Sequence, residues 1–94
     1  MSPSERRSLL ILREHGPLNP GMFAHFYFPR DHPGWDRISK VGTNGSARGV
    51  GLWRWAGGYL GRLQRKGWVV WSVQEWHHLG IYSLSHLGRE ALEA

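Results

Sequence analysis

The pattern of apolar and polar residues predicts a helix at the start of the chain. An apolar stripe is formed by Leu9, Leu12 and one of Leu10 or Ile11. Ser2, Pro3 and Glu5 are typical of a helix start, with a serine N-cap, a proline in the first turn and a glutamate that completes a capping box. The Gly-Pro pair after His15 ends this helix, because proline cannot continue it.

A second start signal, Asn19-Pro20, predicts a helix to about Phe28 that buries Phe23 and Phe26, with Tyr27 as a further candidate. The following segment, about 29–48, shows no clear periodicity, so it is predicted to be a long, basic, glycine-rich loop, with Trp35 pinning it. Because this loop has few apolar residues to bury, we expect it to be the most mobile part of the free protein.

A third helix is predicted over Leu52–Lys66, with Ser46 as a candidate cap for an earlier start and Gly67 as its end. At about 100° per residue, one side is apolar and is expected to face the first two helices: Leu52, Ala56, Tyr59, Leu60 and Leu63. The other side has no acidic residue and carries arginines separated by glycines: Arg54, Gly58, Gly61, Arg62 and Arg65.

This outward side differs from an ordinary solvated helix face, which mixes glutamate with lysine. Glycine within a helix costs about 1 kcal/mol relative to alanine, and Gly57, Gly58 and Gly61 all incur that cost. Missing side chains would let a phosphate backbone come close while the arginines reach bases or phosphates. Close packing against the second helix is the alternative explanation, and it fits Gly57 better than the other two glycines.

β-Branched and aromatic residues predict two strands near the end of the chain, over Trp68–Val73 and over the run IYSLS. The intervening QEWHHLG is predicted to be the tip of a hairpin, with Gly80 available for a positive φ. At this tip, Trp76 is expected to face solvent or a partner, and His77 and His78 to offer donors to phosphate oxygens. Ser85 is predicted to cap a short terminal helix, HLGREALEA.

Composition and charge favour a single nucleic-acid-binding domain over residues 1–94. The chain has no cysteine and a formal net charge of +5, so burial, rather than disulfides or thiolate metal sites, must hold the fold together. From Arg30 to Lys66, eight basic residues stand against two acidic ones, and this concentration is typical of a phosphate-binding surface. The predicted loop supplies three further candidate DNA contacts: Arg37, Lys40 and Arg48.

Other chemistry finds little support in the sequence. The adjacent His77 and His78 point apart, and neither cysteines nor clustered carboxylates complete a ligand set, so no metal or other cofactor is expected. GTNGSARG matches neither a Walker loop nor a dinucleotide fingerprint, and no nucleophile elbow occurs, so an enzyme is not expected. Without a signal peptide or membrane span, we expect a cytoplasmic protein.

Three helices, the third ending YLGRLQRKGWV, followed by a hairpin and YSLSHLGREALEA, resemble a winged helix-turn-helix domain of MarR-type and PadR-type transcription regulators, over about two thirds of the chain. The resemblance implies an α+β winged helix, with a three-helix core, a C-terminal hairpin wing and a short terminal helix. It further implies a non-catalytic protein that binds double-stranded DNA, with the third helix in the major groove and the wing on the backbone. The residues it would turn toward DNA are Arg54, Trp55, Gly58 and Arg62.

Two alternatives stay open. Because the chain has almost no extra dimerisation helices, a small phage or mobile-element protein, such as an excisionase, fits as well as a repressor. The chain also has six tryptophans, of which four cannot all be interior: Trp53, Trp55, Trp71 and Trp76. Exposed aromatic residues are enriched at interfaces, so the wing could instead bind a protein partner or a second copy of the chain.

Overall fold

The computed structural model describes the backbone of residues 1–74 and 77–94, and the side chains of these residues except 74 and 77–79. The described residues form an α+β domain of four α-helices and two separate antiparallel hairpins. None of these helices is both long enough and apolar enough to cross a membrane. The elements in chain order are α1 (Pro3–His15), α2 (Pro20–Tyr27), a 3₁₀ turn (Pro33–Trp35), β1 (Ile38–Val41), β2 (Gly45–Arg48), α3 (Val50–Arg65), β3 (Val69–Gln74), β4 (His77–Leu84) and α4 (His86–Glu93).

Local capping contacts explain where the helices begin. The Ser2 hydroxyl accepts from the Glu5 amide at 3.1 Å, and the Glu5 carboxylate accepts from the Ser2 amide at 2.8 Å, so the predicted capping box is confirmed. Asn19 caps α2 by accepting from the Met22 amide at 2.8 Å. Ser85 caps α4 as predicted. Each of these side chains satisfies an amide that has no partner within its helix.

One hydrophobic core lies where α1, α2 and α3 meet β3, β4 and α4. Its buried side chains, whose removal from water is the main stabilising term, are Leu9, Leu12, Leu18, Phe23, Ala24, Leu52, Ala56, Leu60, Leu63, Val69, Leu84 and Leu92. The prediction that Phe26 is buried is wrong. The inward side of the short α2 is occupied by Phe23 and Ala24, and the exposed Phe26 ring stacks instead on His15 at 3.8 Å.

The segment predicted to be an irregular loop, about 29–48, contains the 3₁₀ turn and the hairpin formed by β1 and β2, which is called the first hairpin below. Its register pairs Ile38 with Arg48 and Lys40 with Ser46. The prediction of a long loop is therefore wrong for Ile38–Arg48. Six of these eight strand residues are exposed, so no alternation of apolar and polar residues marks the strands in the sequence.

Helix α3 begins later than the candidate cap Ser46, which lies in β2. Gly49 precedes the helix with φ 76°, a conformation that favours glycine, and no side chain caps the helix start. A Cβ at Gly49 would lie 3.0 Å from the Trp35 ring. The residue before α3 is therefore a glycine that has a positive φ and little room for a side chain beside Trp35, and Ser46 lies upstream of it in β2.

The second hairpin, formed by β3 and β4, joins the core through the paired Val69 and Leu84. On its other side, β4 forms two backbone hydrogen bonds between Tyr82 and Leu18, of 2.8 and 2.9 Å. The predicted tip QEWHHLG was too long, because His77–Gly80 belongs to β4. Gly80 has the predicted positive φ, 67°, but within the strand.

Candidate nucleic-acid interface

The outward face of α3 is the candidate interface. Four of the predicted inward residues, Leu52, Ala56, Leu60 and Leu63, are buried, and this burial turns the opposite side of the helix to solvent. On that side Arg54, Gly58, Arg62 and Arg65 are exposed and Gly61 is half-buried. The predicted division of the helix into an apolar face and an arginine face is thus confirmed.

A shallow groove of about 340 Å³ lies on this face. We call it the α3 groove, and its lining residues are Arg54, Trp55, Gly58, Tyr59, Arg62 and Arg65. Five of these six residues were predicted as site residues. Three guanidinium groups and no carboxylate line the groove, so it favours an anionic ligand that can accept hydrogen bonds from several arginines.

Tyr59 is the groove residue that the sequence reasoning missed, because it was assigned to the inward face. The residue is half-buried, and its ring stacks on Trp55 with centroids 4.8 Å apart and planes 10° apart. Its hydroxyl lies 3.1 Å from the Ser4 hydroxyl of α1. Spacing could have indicated this position, since residues four apart on a helix meet at the surface.

Several aromatic rings pack against Trp55. Besides Tyr59, the rings of Tyr27 and Phe28 approach its indole with centroid distances of 5.2 and 5.1 Å. Arg7 in turn fixes Tyr27, with its guanidinium 4.6 Å from that ring and a 2.6 Å hydrogen bond to the Tyr27 carbonyl. Trp55 nevertheless remains 42% exposed. The groove therefore presents a well-supported indole beside its arginines, an arrangement suited to a contact surface.

The glycines leave the arginine face open. A Cβ at Gly58 or Gly61 would meet no atom within 4 Å. A Cβ at Gly57 would lie 3.8 Å from the Pro20 side chain, which is an ordinary contact. Internal packing thus requires glycine at none of these three positions, and the packing explanation for Gly57 loses its support.

Of the three candidate DNA contacts from the predicted loop, the structure places Lys40 and Arg37 next to the α3 groove. The Arg54 guanidinium donates a 2.9 Å hydrogen bond to the carbonyl of Lys40. Arg37 lines a neighbouring cleft of about 520 Å³ that shares Trp55 with the groove. Arg48 lines a third cleft, with Trp35 and Trp53, that has no residue in common with the groove. Arg48 therefore lies outside the α3 groove.

Three candidate residues cannot be assigned a surface. Trp76 lies outside the described residues, and for His77 and His78 only the backbone, in β4, is described. Their predicted contacts stay predictions. Within the described part of the chain, no three His, Cys, Asp or Glu residues lie together as a metal-binding group.

One basic residue next to the groove is paired with an acid. Lys66, just after α3, forms an ion pair with Glu5 of α1. Its hydrogen bond, together with that from the Ser2 amide, lowers the pKa of Glu5 to about 2. Both residues line a cleft that shares Tyr59 and Arg62 with the groove. Glu5 therefore offsets the charge of Lys66, and the positive charge of the groove comes from its arginines.

No protein-family model, curated protein or solved structure matches this chain. The assignment of a function therefore depends on the chemistry of the α3 groove and of the elements beside it.

Proposed function

We propose that this protein binds double-stranded DNA, without catalysis, through the exposed face of α3. The observation that carries the proposal is the α3 groove, in which three arginines and an exposed indole share one helix face that has no acidic residue. A helix with its side chains is about 10–12 Å across, and the major groove of DNA is about 12 Å wide. The arginine face has the shape and charge to enter that groove.

The arginines suit both kinds of DNA contact. Arg62 and Arg65 are exposed, and their side chains form no hydrogen bond or ion pair with the described residues. A guanidinium can donate two hydrogen bonds to the edge of guanine or to a phosphate. The open positions Gly58 and Gly61 leave room beside them for a groove wall. These two arginine side chains are thus available to contact DNA.

The order of elements supports a winged-helix arrangement. Three helices precede the second hairpin and α4, and Gly67, with φ 83°, turns the chain from α3 into β3. In such an arrangement the third helix enters the major groove and the following hairpin lies against the backbone. The first hairpin, between α2 and α3, is an additional element. We propose a role in transcription regulation or as a recombination accessory factor.

A titration of a random-sequence duplex of about 20 base pairs tests the proposal. Each neutralised phosphate adds about 0.9 to the slope of log affinity against log salt. Replacing Arg62 and Arg65 together by alanine should lower that slope by about 2 and weaken binding. The matched control replaces Arg13 and Arg89, which are exposed on α1 and α4. It removes the same charge and should change the slope little.

Two results would contradict the proposal. One is a wild-type protein that binds no duplex at about 50 mM salt, where phosphate contacts are strongest. The other is an equal loss in the groove variant and in the control variant, since this would show that net charge alone attracts DNA. Circular dichroism of each variant shows whether it is folded.

A second candidate function is protein binding through the second hairpin. Along β3 three apolar side chains are about half exposed, namely Val70 at 49%, Trp71 at 43% and Val73 at 58%. Within the described residues β3 pairs only with β4, and an unpaired apolar edge can add a strand from another chain. Under this alternative, Val73→Lys or Trp76→Ala should abolish self-association in sedimentation velocity, whereas Arg62→Ala should leave it unchanged. If the wild type is monomeric and binds DNA, the proposal that the second hairpin binds a second copy of the chain is contradicted.

A further inference from the structure

The first hairpin continues the charge of the α3 groove. Together with the preceding Arg37, it carries three basic side chains and no acidic one, and the chain has no Asp or Glu between Arg37 and Lys66. Ordinary surface segments mix both signs of charge. The hairpin and α3 therefore form one uninterrupted basic segment, although the hairpin is no part of a three-helix core.

The two faces of the first hairpin differ. In an antiparallel pair, directly paired residues and residues two apart lie on the same face. The pairs Ile38–Arg48 and Lys40–Ser46 thus share one face, and all four residues are exposed. On the other face Ser39 and Ala47 are half-buried. Lys40 and Arg48 accordingly lie on the face that is turned to solvent.

The base of the first hairpin is held firmly. The Trp35 ring stacks on His25 at 4.5 Å, and its indole nitrogen donates to the Pro29 carbonyl at 2.8 Å. At the same base, Gly49, which follows β2, donates its amide hydrogen to the carbonyl of Arg37, which precedes β1, at 3.1 Å. Beyond this base, residues 41–46 are all exposed. The hairpin is thus an anchored arm with a projecting end.

Arg54 connects this arm to the α3 groove. Its guanidinium lines the groove and donates to the Lys40 carbonyl. Because that acceptor is a neutral carbonyl, the positive charge of Arg54 is not offset. A four-residue strand is about 13 Å long, comparable to the roughly 12 Å width of the major groove. An arm held at this point is long enough to reach the phosphates at the edge of the groove that α3 occupies.

We propose that the first hairpin is a second DNA-binding arm, which contacts phosphates of the duplex through Lys40 and Arg48, and that Arg54 is a positioning residue that holds the arm beside α3. This inference rests on the proposed binding of α3 to duplex DNA. It adds a contact that lies outside the third helix and outside the second hairpin.

The arm is tested with the same random duplex of about 20 base pairs. Replacing Lys40 and Arg48 together by alanine removes two phosphate contacts, so the slope of log affinity against log salt should fall by about 1.8. Between about 50 and about 200 mM salt, the wild type should consequently lose about twelve-fold more affinity than this variant. The Arg13 and Arg89 double variant again controls for net charge.

A double-mutant cycle tests the positioning role of Arg54. If Arg54 acts by holding the arm, Arg54→Ala should weaken binding much less in the background that lacks Lys40 and Arg48 than in the wild type, because the arm contacts are already gone. If Arg54 binds DNA on its own, the two losses should be additive. Arg54→Lys should not restore the wild-type slope, because a lysine lacks the planar guanidinium that reaches both the groove and the carbonyl.

The outcomes separate the arm from the function on which it rests. An unchanged slope in the Lys40 and Arg48 variant, with a lowered slope in the Arg62 and Arg65 variant, would overturn the arm and leave DNA binding by α3 intact. Additive losses would overturn the positioning role alone. If the wild type binds no duplex, the proposed function and the arm both fail. Thermal unfolding of each variant distinguishes lost contacts from lost folding.

Discussion

The two hairpins of this protein are similar in kind but are attached in opposite ways. The second hairpin contributes Val69 and Leu84 to the core, and β4 is also bonded to Leu18. The first hairpin contributes no side chain to the buried core. It is held by the Trp35 indole, which stacks on His25 and donates to the Pro29 carbonyl, by the backbone hydrogen bond between Gly49 and Arg37, and by the hydrogen bond from Arg54. Apolar burial therefore fixes one hairpin, and polar and aromatic contacts fix the other.

From this difference we expect the stability of the protein to depend more on the second hairpin than on the first. Burial of apolar area is the largest favourable term in folding, so changes in the second hairpin should be felt by the whole molecule. A hydrogen bond at the surface contributes about 1 kcal/mol or less, so changes in the first hairpin should remain local. The basic first hairpin can then be altered to test the proposed DNA binding without unfolding the protein.

The largest difference is expected from truncating one apolar residue in each hairpin. Leu84 is 9% exposed and Ile38 is 61% exposed. Leu84→Ala should lower the free energy of unfolding by about 2–5 kcal/mol, because it leaves a cavity in the core. Ile38→Ala should change it by less than about 0.5 kcal/mol. Urea denaturation of both variants measures the contrast, and equal losses would show that the first hairpin shares the core.

A smaller contrast is expected from two glycines with almost the same φ. Gly42 in the first hairpin has φ 68°, and Gly80 in the second has φ 67°. A Cβ at Gly42 meets nothing within 4 Å, so Gly42→Ala should cost only the strained backbone, about 1 kcal/mol.

At Gly80 a Cβ would overlap the indole of Trp71. Gly80→Ala should therefore cost about 1–3 kcal/mol more than Gly42→Ala, because the indole must move as well. Thermal unfolding and tryptophan fluorescence measure the two effects. A Gly80→Ala protein as stable as Gly42→Ala would mean that Trp71 shifts freely.

The ion pair between Glu5 and Lys66, just before the second hairpin, is expected to contribute about 1 kcal/mol to the free energy of unfolding. Glu5 is only 13% exposed, but Lys66 is 51% exposed, so solvent screens the pair. The pKa of Glu5 is lowered from 4.5 to about 2. A lowered pKa stabilises the fold above the unfolded value, and this stabilisation is lost as the pH falls. Stability should therefore decrease between about pH 4.5 and about pH 2.

Glu5→Gln removes this titration. Its free energy of unfolding should be lower than that of the wild type at neutral pH and should approach the wild-type value near pH 2. Urea denaturation across this pH range measures the difference. A difference that does not change with pH would contradict the role of the ion pair.

The smallest effect on global stability is expected from Arg54→Ala, which releases the Lys40 carbonyl. The melting temperature should change little. The first hairpin should nevertheless open more often, because fewer contacts hold it. Limited trypsin digestion should cut first within Arg30–Arg48 in the wild type and in Arg54→Ala, and the cut should be faster in Arg54→Ala. First cuts within α3 or the second hairpin would contradict this expectation.

Much of the fold could be predicted because its signals are local. The capping box at Ser2, the cap at Ser85 and the buried face of α3 all depend on residues within a few positions of one another. Most of the α3 groove followed from the same helical spacing. The first hairpin gave no such signal, since its strand residues are mostly exposed and its pairing depends on backbone hydrogen bonds.

The sequence by itself determined the four helices, the two faces of α3 and the concentration of positive charge at the centre of the chain, since these follow from the spacing and type of neighbouring residues. Only the tertiary structure decided that the Tyr59 hydroxyl meets Ser4 of α1, that Trp35 lies beside Gly49 at the start of α3 and that Arg54 joins the first hairpin to the groove. The physical reason is distance along the chain. Each of these contacts joins residues that no local pattern links, and folding alone brings them together.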